Sequence, residues 1–411
     1  MNLCPNAEVC GGCTYQGVPY AEQLEIKNAQ VLESLQKYDI RIGQYVPMLP
    51  SPHIYGYRNK MEYTFGDEVK DGPMTLGMHR KRSYMSVINV DDCQIVTDDF
   101  NLIRKSTLDY MTEKGYTFLH KRSHEGLLRN LVIRRGEHTK ELFINIVTSS
   151  QGGFDANEYK DFLLSLDTDE NIVGIVHSIF DGKADKVDAD EMHILYGQDY
   201  YSDELLGLKF KVNALAFFQT NTSAVELMFQ DAIQILREET LGNLSYNPND
   251  VTTDAATFAG GSADNKKLIF DVYCGTGTIG LSLAGAAREV VGIEIVEDSV
   301  KAATSNAEIN GITNARFICG DALEVLQSLD EKPEVLIVDP PRMGMHPKAL
   351  KKIISYDLDE ILYISCNPKT WAENMATLQE YGYKADIVRA YDNFPFTKHI
   401  ELVTLITKIG K

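Results

Sequence analysis

No apolar run in the 411-residue chain comes near the roughly 18 residues a membrane-spanning helix requires, which excludes an integral membrane protein of that kind. The opening MNLCPNAEVCGGC lacks both the basic segment and the apolar stretch of a secretory signal, so the cytoplasm is the expected location. Positive charge is also short: 40 Lys and Arg against 59 Asp and Glu give a net −19. That balance excludes sequence-blind binding of nucleic acid over the whole surface. Seven cysteines are too few for a disulfide framework in a chain of this length, and no internal repeat is present.

What is there is unevenly distributed. Residues 53–140 hold 15 Lys and Arg against 12 Asp and Glu, a local +3 that leaves −22 for the rest. Arg80–Lys81–Arg82, Lys121–Arg122 and Arg134–Arg135 alternate there with Tyr55, Tyr57, Tyr63 and Tyr84, a mixture suited to phosphate contacts and base stacking. A solvated β-rich surface would have the same composition. Near the start, residues 20–38 carry Leu24, Val31 and Leu35 at helical spacing. Residues 45–215 are mostly short β-like runs, with helices expected over 98–114 and 156–166, and helical pattern resumes at 223–239.

Residues 240–267 are rich in Asn, Asp, Thr, Gly and Ala without a sustained period, and are expected to form a flexible insertion. Beyond them LIFDVYCG, VVGIEIV, ARFICGD, EVLIVDPP and ILYISCNP alternate with helical stretches, the pattern of a parallel sheet covered on both faces. KADIVRAYDNFP and HIELVTLITK add an antiparallel pair. The expected architecture is therefore α/β. A β-rich α+β domain spans 1–212, and a Rossmann-like sheet spans 213–411.

In DVYCGTGTIGL, Gly275, Gly277 and Gly280 allow a tight turn against a ligand at the start of the next helix. Glu294, Asp321 and Asp339 end the following three strands on the carboxyl edge, where open α/β sheets bind ligands. Helix caps would explain any one of these acids but not all three so well. The loop lacks a clear pyrophosphate fingerprint, and Asp339-Pro340-Pro341 makes a rigid turn. Both features favour S-adenosylmethionine over a dinucleotide. Cys366 ends the fifth strand just before Asn367-Pro368; a small apolar filler is the alternative to a reactive thiol. Cys274 and Cys319 are expected to pack. Cys4, Cys10, Cys13 and the distant Cys93 could supply four thiolates to zinc or to an iron–sulfur cluster, and spacing does not choose.

Together, DVYCGTGTIGL, VDPPRMG, ISCNPKT, FFQTN and FPFTKHIELV resemble the RNA 5-methyluridine methyltransferase family. CPNAEVCGGCTYQ, YRNKMEYTFG and DDCQIV are similar to its cluster-bearing members. The resemblance covers nearly the whole chain except 240–267, and implies that the oligonucleotide-binding barrel opening many relatives is absent. It implies a four-iron four-sulfur cluster on Cys4, Cys10, Cys13 and Cys93, with a structural role. It implies cofactor contacts from Gln219, Tyr273, Gly275, Gly277, Thr278, Glu294, Asp321 and Asp339. Cys366 matches the nucleophile, a thiol whose pKa should be lowered by its surroundings, and Glu401 matches the general base. The implied substrate is large-subunit (23S) ribosomal RNA, with transfer RNA as the alternative, and the implied state is a monomer without an obligate protein partner. An amino-group methyltransferase and a non-catalytic RNA-binding cluster protein are the rival readings.

Overall fold

A computed structural model describes residues 3–236 and 266–410. Apart from Lys266 and Lys267, the insertion expected at 240–267 lies outside the described residues. The chain begins with a loop holding three cysteines, then helix α1 (Tyr20–Lys37) and strand β1 (Ile42–Leu49). Val31 and Leu35 of α1 are buried as the spacing predicts, but Gln23 and Lys27 share the buried face with them.

A seven-stranded sheet follows, built from β2 (Lys60–Asp67), β3 (Met74–His79), β4 (Val87–Asn89), β5 (Leu128–Arg135), β6 (Glu141–Thr148), β7 (Asn171–Ile179) and β8 (Glu191–Gly197). Their order is β4-β3-β2-β5-β6-β7-β8, antiparallel except for the β6–β7 pair. Helix α3 (Ala156–Leu164) makes the crossover that a parallel pair demands, and Asp155 caps it by accepting from the Glu158 N–H. Helix α2 (Asp98–Glu113) contributes Phe100, Ile103 and Met111 to the same core, which also holds Tyr63, Leu131 and Ile144.

Every residue of β5 is buried, and that revises the expected basic face. Arg134 is 1% exposed and donates to the Ala216 carbonyl at 2.8 Å. Arg135 meets both Glu170 oxygens at 2.7 Å and pairs with Glu137. Tyr57 and Tyr63 are also buried, whereas Tyr55 and Tyr84 are exposed. Arg134, Arg135, Tyr57 and Tyr63 therefore serve the core. Arg135 persists there because two carboxylates meet its guanidinium, whereas Arg134 has a partner among the described residues only at one terminal nitrogen, and composition can reveal neither condition.

A hairpin of β9 (Tyr200–Leu205) and β10 (Leu208–Asn213), then α4 (Thr222–Leu236), lead into the second sheet. That sheet contains β11 (Lys267–Val272), β12 (Ala287–Glu294), β13 (Ala315–Cys319), β14 (Val335–Val338), β15 (Glu360–Ser365), β16 (Tyr383–Tyr391) and β17 (Glu401–Lys408). The order is β1-β16-β17-β15-β14-β11-β12-β13, so β1 joins this sheet rather than the first one. It runs parallel to β16, Ile42 opposite Ala385. Pro47 falls where the register slips, as suits an edge strand. Helices α5 (Thr278–Leu283), α6 (Glu297–Ile309), α7 (Ala322–Ser328), α8 (Pro347–Ser355) and α9 (Pro368–Glu380) return the chain between the parallel strands. Only β17 enters antiparallel to its neighbours β15 and β16, forming the expected terminal pair.

Two short segments join the sheets. Asn59, 1% exposed, donates its backbone N–H to Thr220 at 3.1 Å and its amide to the Gln219 carbonyl at 3.0 Å and the Thr222 hydroxyl at 2.9 Å. Phe396, from the loop before β17, buries its ring in the core of the seven-stranded sheet. Removing the Asn59 amide strands a buried hydroxyl and carbonyl, which costs about 1–3 kcal/mol. Asn59→Ala should therefore lower the urea midpoint while leaving the slope unchanged; an unaltered midpoint would show that water replaces both bonds.

Candidate active site

The carboxyl edge of the second sheet opens on a cavity of about 700 Å³, within the range of nucleoside-sized ligands. On its near wall β11 turns into α5. Tyr273 takes a left-handed φ of +68° and Gly277 one of +82°. A Cβ on Gly277 would lie 3.0 Å from Phe317 and 3.2 Å from Ala303, so this turn has no room for a side chain. Thr278, the first residue of α5, lines the cavity beside Gly275.

The strand-ending acids divide by role. Glu294 accepts from the N–H groups of Gly275 (3.1 Å) and Val296 (2.9 Å), which orients the carboxylate at the lip of the glycine turn. One oxygen of Asp321 caps α7, accepting from Leu323 and Glu324, while the residue also lines the cavity. Asp339 caps nothing. Burial first, and Asp271 second, push its pKa up to about 7. Gln219 lines the far wall, on the segment Asn59 braces.

Cys366 lies between the last residue of β15 and Asn367, which caps α9 by accepting from Lys369 ahead of Pro368. Asn before Pro thus stops the strand and starts the helix at one point, leaving the cysteine at the edge. In the β15–β17 ladder Ser365 faces Leu402. Cys366 and Glu401 each lie one residue beyond that last pair, and both side chains line the cavity. Their separation of 35 residues in sequence gave no hint that they share it.

The electrostatics correct one expectation. Burial pushes the Cys366 thiol up to about 11, and Glu401 and Asp339 add to the shift; only Arg342 and a backbone contact oppose it. The thiol is therefore not activated in advance. Glu401 is itself pushed up to about 8, by burial and then by Asp339, against the pull of Arg342 and Lys27. The acids around the cysteine outweigh its one cationic neighbour.

A profile of tRNA (uracil-5-)-methyltransferases matches residues 248–409. An uncharacterized RNA methyltransferase of Clostridium tetani is 43% identical over 400 residues, covering 97% of this chain and 82% of its own. One from Bacteroides thetaiotaomicron is 33% identical over 422 residues, covering 98% and 87%. The chain belongs to the RNA uracil-5-methyltransferase family. The tRNA (uracil-54, C5)-methyltransferase of Pyrococcus abyssi, solved with S-adenosyl-L-homocysteine, superposes with a TM-score of 0.71 at 26% identity over 97% of this chain and 86% of its own. The chain is thus an S-adenosylmethionine-dependent RNA methyltransferase, and the cavity at the carboxyl edge is its candidate cofactor site. Its fit rests on the strained glycine turn, the oriented Glu294 and the volume.

Several residues of this methyltransferase site escaped the sequence reading. Asp271, fully buried in β11, accepts from the Gly280 N–H at 2.9 Å and fastens α5 to the sheet. Arg342 carries the exposed cation at the cavity mouth, its guanidinium 2.9 Å from the His399 ring. The DPPR string advertised the turn but not this role. Lys27 reaches Glu401's surroundings from α1. Of the cysteines expected to pack, Cys274 is buried but Cys319 is exposed, because β13 ends there in solvent.

Cys4, Cys10, Cys13 and Cys93 line a second, small cavity with Ala7 and Ile95. Burial raises the pKa of Cys13 to about 12 and of Cys93 to about 11, with the neighbouring thiols adding to both. Among the described residues no group of three or more Cys, His, Asp or Glu side chains is set to hold a single metal ion. Tetrahedral zinc would draw its sulfurs to about 3.8 Å of one another.

Because Glu401 has a higher pKa folded than its ordinary 4.5, it favours the folded chain while protonated. That contribution is complete below about 4.5 and is lost as pH rises through about 8. Glu401→Gln should therefore melt several degrees above the wild type at pH 8.5 and no higher at pH 5. A constant difference at both values would mean the carboxyl is not raised.

Proposed function

We propose that this methyltransferase modifies carbon 5 of a uridine in large-subunit ribosomal RNA, with Cys366 as nucleophile and Glu401 as general base. The observation that carries the reading is that Cys366 and Glu401, each one residue beyond the Ser365–Leu402 pair of the β15–β17 ladder, both line the cavity, near enough for Glu401 to raise the thiol's pKa. Carbon 5 of uracil is too electron-poor to attack a methyl donor unaided. Addition of the Cys366 sulfur to carbon 6 moves the ring double bond into an enolate and makes carbon 5 nucleophilic. S-adenosylmethionine supplies the electrophilic methyl group when bound. Glu401 then removes the carbon 5 proton, the ring double bond re-forms, and the carbon–sulfur bond breaks to return the thiolate.

Gln219, Tyr273, Gly275, Gly277, Thr278, Glu294 and Asp321 would hold the cofactor, with Glu294 accepting from ribose hydroxyls. Asp339 and Pro340 would flank the target ring. Since the Cys366 thiol is raised, its proton must leave as RNA binds, and Arg342 is the cation that favours the thiolate. The RNA face we assign runs through Arg58, Lys60, Arg80, Lys81 and Arg82. Arg58 supports it by lying, with Arg342 and Lys398, close enough to His399 to lower its pKa to about 4, burial being the larger cause. The Lys81 ammonium is tied to the Ala7 carbonyl at 2.5 Å and Arg80 to Glu68 at 3.2 Å, so the face adjoins the cysteine loop. The target uridine must leave its stack to reach the cavity, at a cost of a few kcal/mol.

We assign a four-iron four-sulfur cluster to Cys4, Cys10, Cys13 and Cys93. One cavity lined by all four thiols supports it. The cluster-bearing type also favours ribosomal RNA, whereas the Pyrococcus abyssi enzyme acts on transfer RNA. Protein purified without oxygen should show broad visible absorption with iron and sulfide in equal amounts; one zinc and no iron would reject the assignment. Alanine at any of the four should chiefly lower the folded yield.

The two catalytic assignments separate by where each variant stops. Cys366→Ala should bind RNA yet form neither adduct nor product; retained activity would favour an amino-group methyltransferase. Glu401→Gln should transfer the methyl group and then stay joined to the RNA through Cys366. A denaturing gel with labelled cofactor should show that slow band in Glu401→Gln, and in the wild type with 5-fluorouridine RNA, but never in Cys366→Ala. Normal turnover by Glu401→Gln would assign the base elsewhere. Run on separated ribosomal and transfer RNA, the same gel identifies the substrate.

A further inference from the structure

We propose that Lys27 is a positioning residue for proton removal, fixing from helix α1 the loop that delivers Glu401. The proposal rests on the reading of Glu401 as the base. Lys27 is the one fully buried lysine among the described residues. Its ammonium donates to Asp392 at 2.6 Å, with both side chains 0% exposed, and to the Phe394 carbonyl at 3.1 Å. One turn earlier, Gln23 accepts from the Phe396 N–H at 2.8 Å, and the Tyr15 N–H donates to the Phe396 carbonyl at 2.8 Å. The segment 15–27 thus grips the 392–397 loop at four points, and β17 begins with Glu401 just beyond it.

Stability alone does not account for this arrangement. A buried ion pair is often no more stabilising than apolar side chains of the same volume, because both charges lose their hydration. The gripped loop also holds Phe396 at φ +64°. That conformation is unfavourable for a side-chain-bearing residue and persists only where the surroundings over-determine it. What the grip secures is geometry.

Lys27 and Arg342 both act on Glu401 from the cationic side, opposed by Asp339, with Cys366 also facing it. Lys27 itself faces Asp392 and Glu401, and Asp392 is faced in turn by Tyr20. His399, between Arg342 and Lys398, is close enough to feel Lys27 as well. The two cations differ in access. Arg342 is exposed at the mouth and can be taken up by RNA phosphate, while Lys27 stays inside and its field does not depend on substrate.

The test uses the whole enzyme, RNA carrying tritium at carbon 5, and 5-fluorouridine RNA. Tritium release reads proton removal; adduct formation on the fluorinated RNA reads the steps before it. Replacing the pair together, Lys27→Met with Asp392→Asn, avoids an unpaired buried charge. We expect adduct formation and melting temperature near wild type, but tritium release about tenfold slower at neutral pH, with its midpoint raised by about one pH unit. Lys27→Arg, which keeps the charge, should recover most of the rate and the midpoint. Gln23→Met, which releases Phe396 without touching a charge, should slow tritium release with an unmoved midpoint. It also serves if the double variant folds poorly. Equal slowing of both steps, or wild-type tritium release in the double variant and in Gln23→Met, would overturn the proposal. Glu401→Gln is the control. If it traps the adduct while the Lys27 variants behave as wild type, only this proposal falls; if it releases tritium normally, the base assignment falls and takes the proposal with it.

Discussion

The chemistry of this protein depends on one pairing, the antiparallel ladder between β15 and β17. A parallel strand in that position would put its amino end, and Glu401 with it, at the far edge of the sheet from Cys366. By running backwards, β17 begins where β15 stops, with Leu402 opposite Ser365, so that Glu401 and Cys366 both come out at the carboxyl edge. A one-residue slip would turn every side chain of β17 to the opposite face. The slip is resisted because Leu402, Val403, Leu405 and Ile406 are all buried, divided between the cores on the two sides of the sheet.

Around that ladder buried acids collect, Asp339 and Glu401 in the cavity wall and Asp271 behind it. Asp271 and Asp339 are each pushed up to about 7 and Glu401 to about 8, chiefly by burial. They cannot all ionise cheaply together, since each charge lifts the pKa of the next. A cationic methyl donor suits such a site, and so does RNA only where Arg342 screens it. On the RNA face proposed above, half-buried Arg58 and exposed Arg342 would reconcile the net −19 of the chain with an RNA substrate.

Much of this was legible. The alternation of apolar runs and helices located the second sheet, and the terminal antiparallel pair followed from two adjacent alternating segments. Asn367-Pro368 marked the end of β15 to within one residue, the strand stopping at Ser365 rather than on Cys366. Illegible were the features made by distant partners. Arg134 and Arg135 read as surface charge because Ala216 and Glu170 lie far along the chain. Lys27 carried no signal in α1, since nothing near it in sequence names Asp392. The Cys366 pKa failed for the same reason: the motif shows the thiol but not the acids folded around it. The four cysteines at 4, 10, 13 and 93 converge on one cavity, which spacing suggested and could not establish.

Strand β1 carries a consequence for biosynthesis. It pairs with β16, and α1 just before it is fastened to Asp392, 365 positions from Lys27. The seven-stranded sheet lies wholly between these partners and can form as it leaves the ribosome, its antiparallel neighbours close in sequence. The other sheet cannot close until nearly the last residue has been made. Residues 20–49 must meanwhile wait with an apolar helix face uncovered, the circumstance in which unfinished chains associate wrongly. Contacts between ends so far apart also form slowly, because loop closure costs entropy before any pairing compensates it. The enzyme therefore completes its edge strand, its N-terminal helix and the loop before Glu401 in a single late event. A chain interrupted short of β16 would have a folded first sheet and no active site at all.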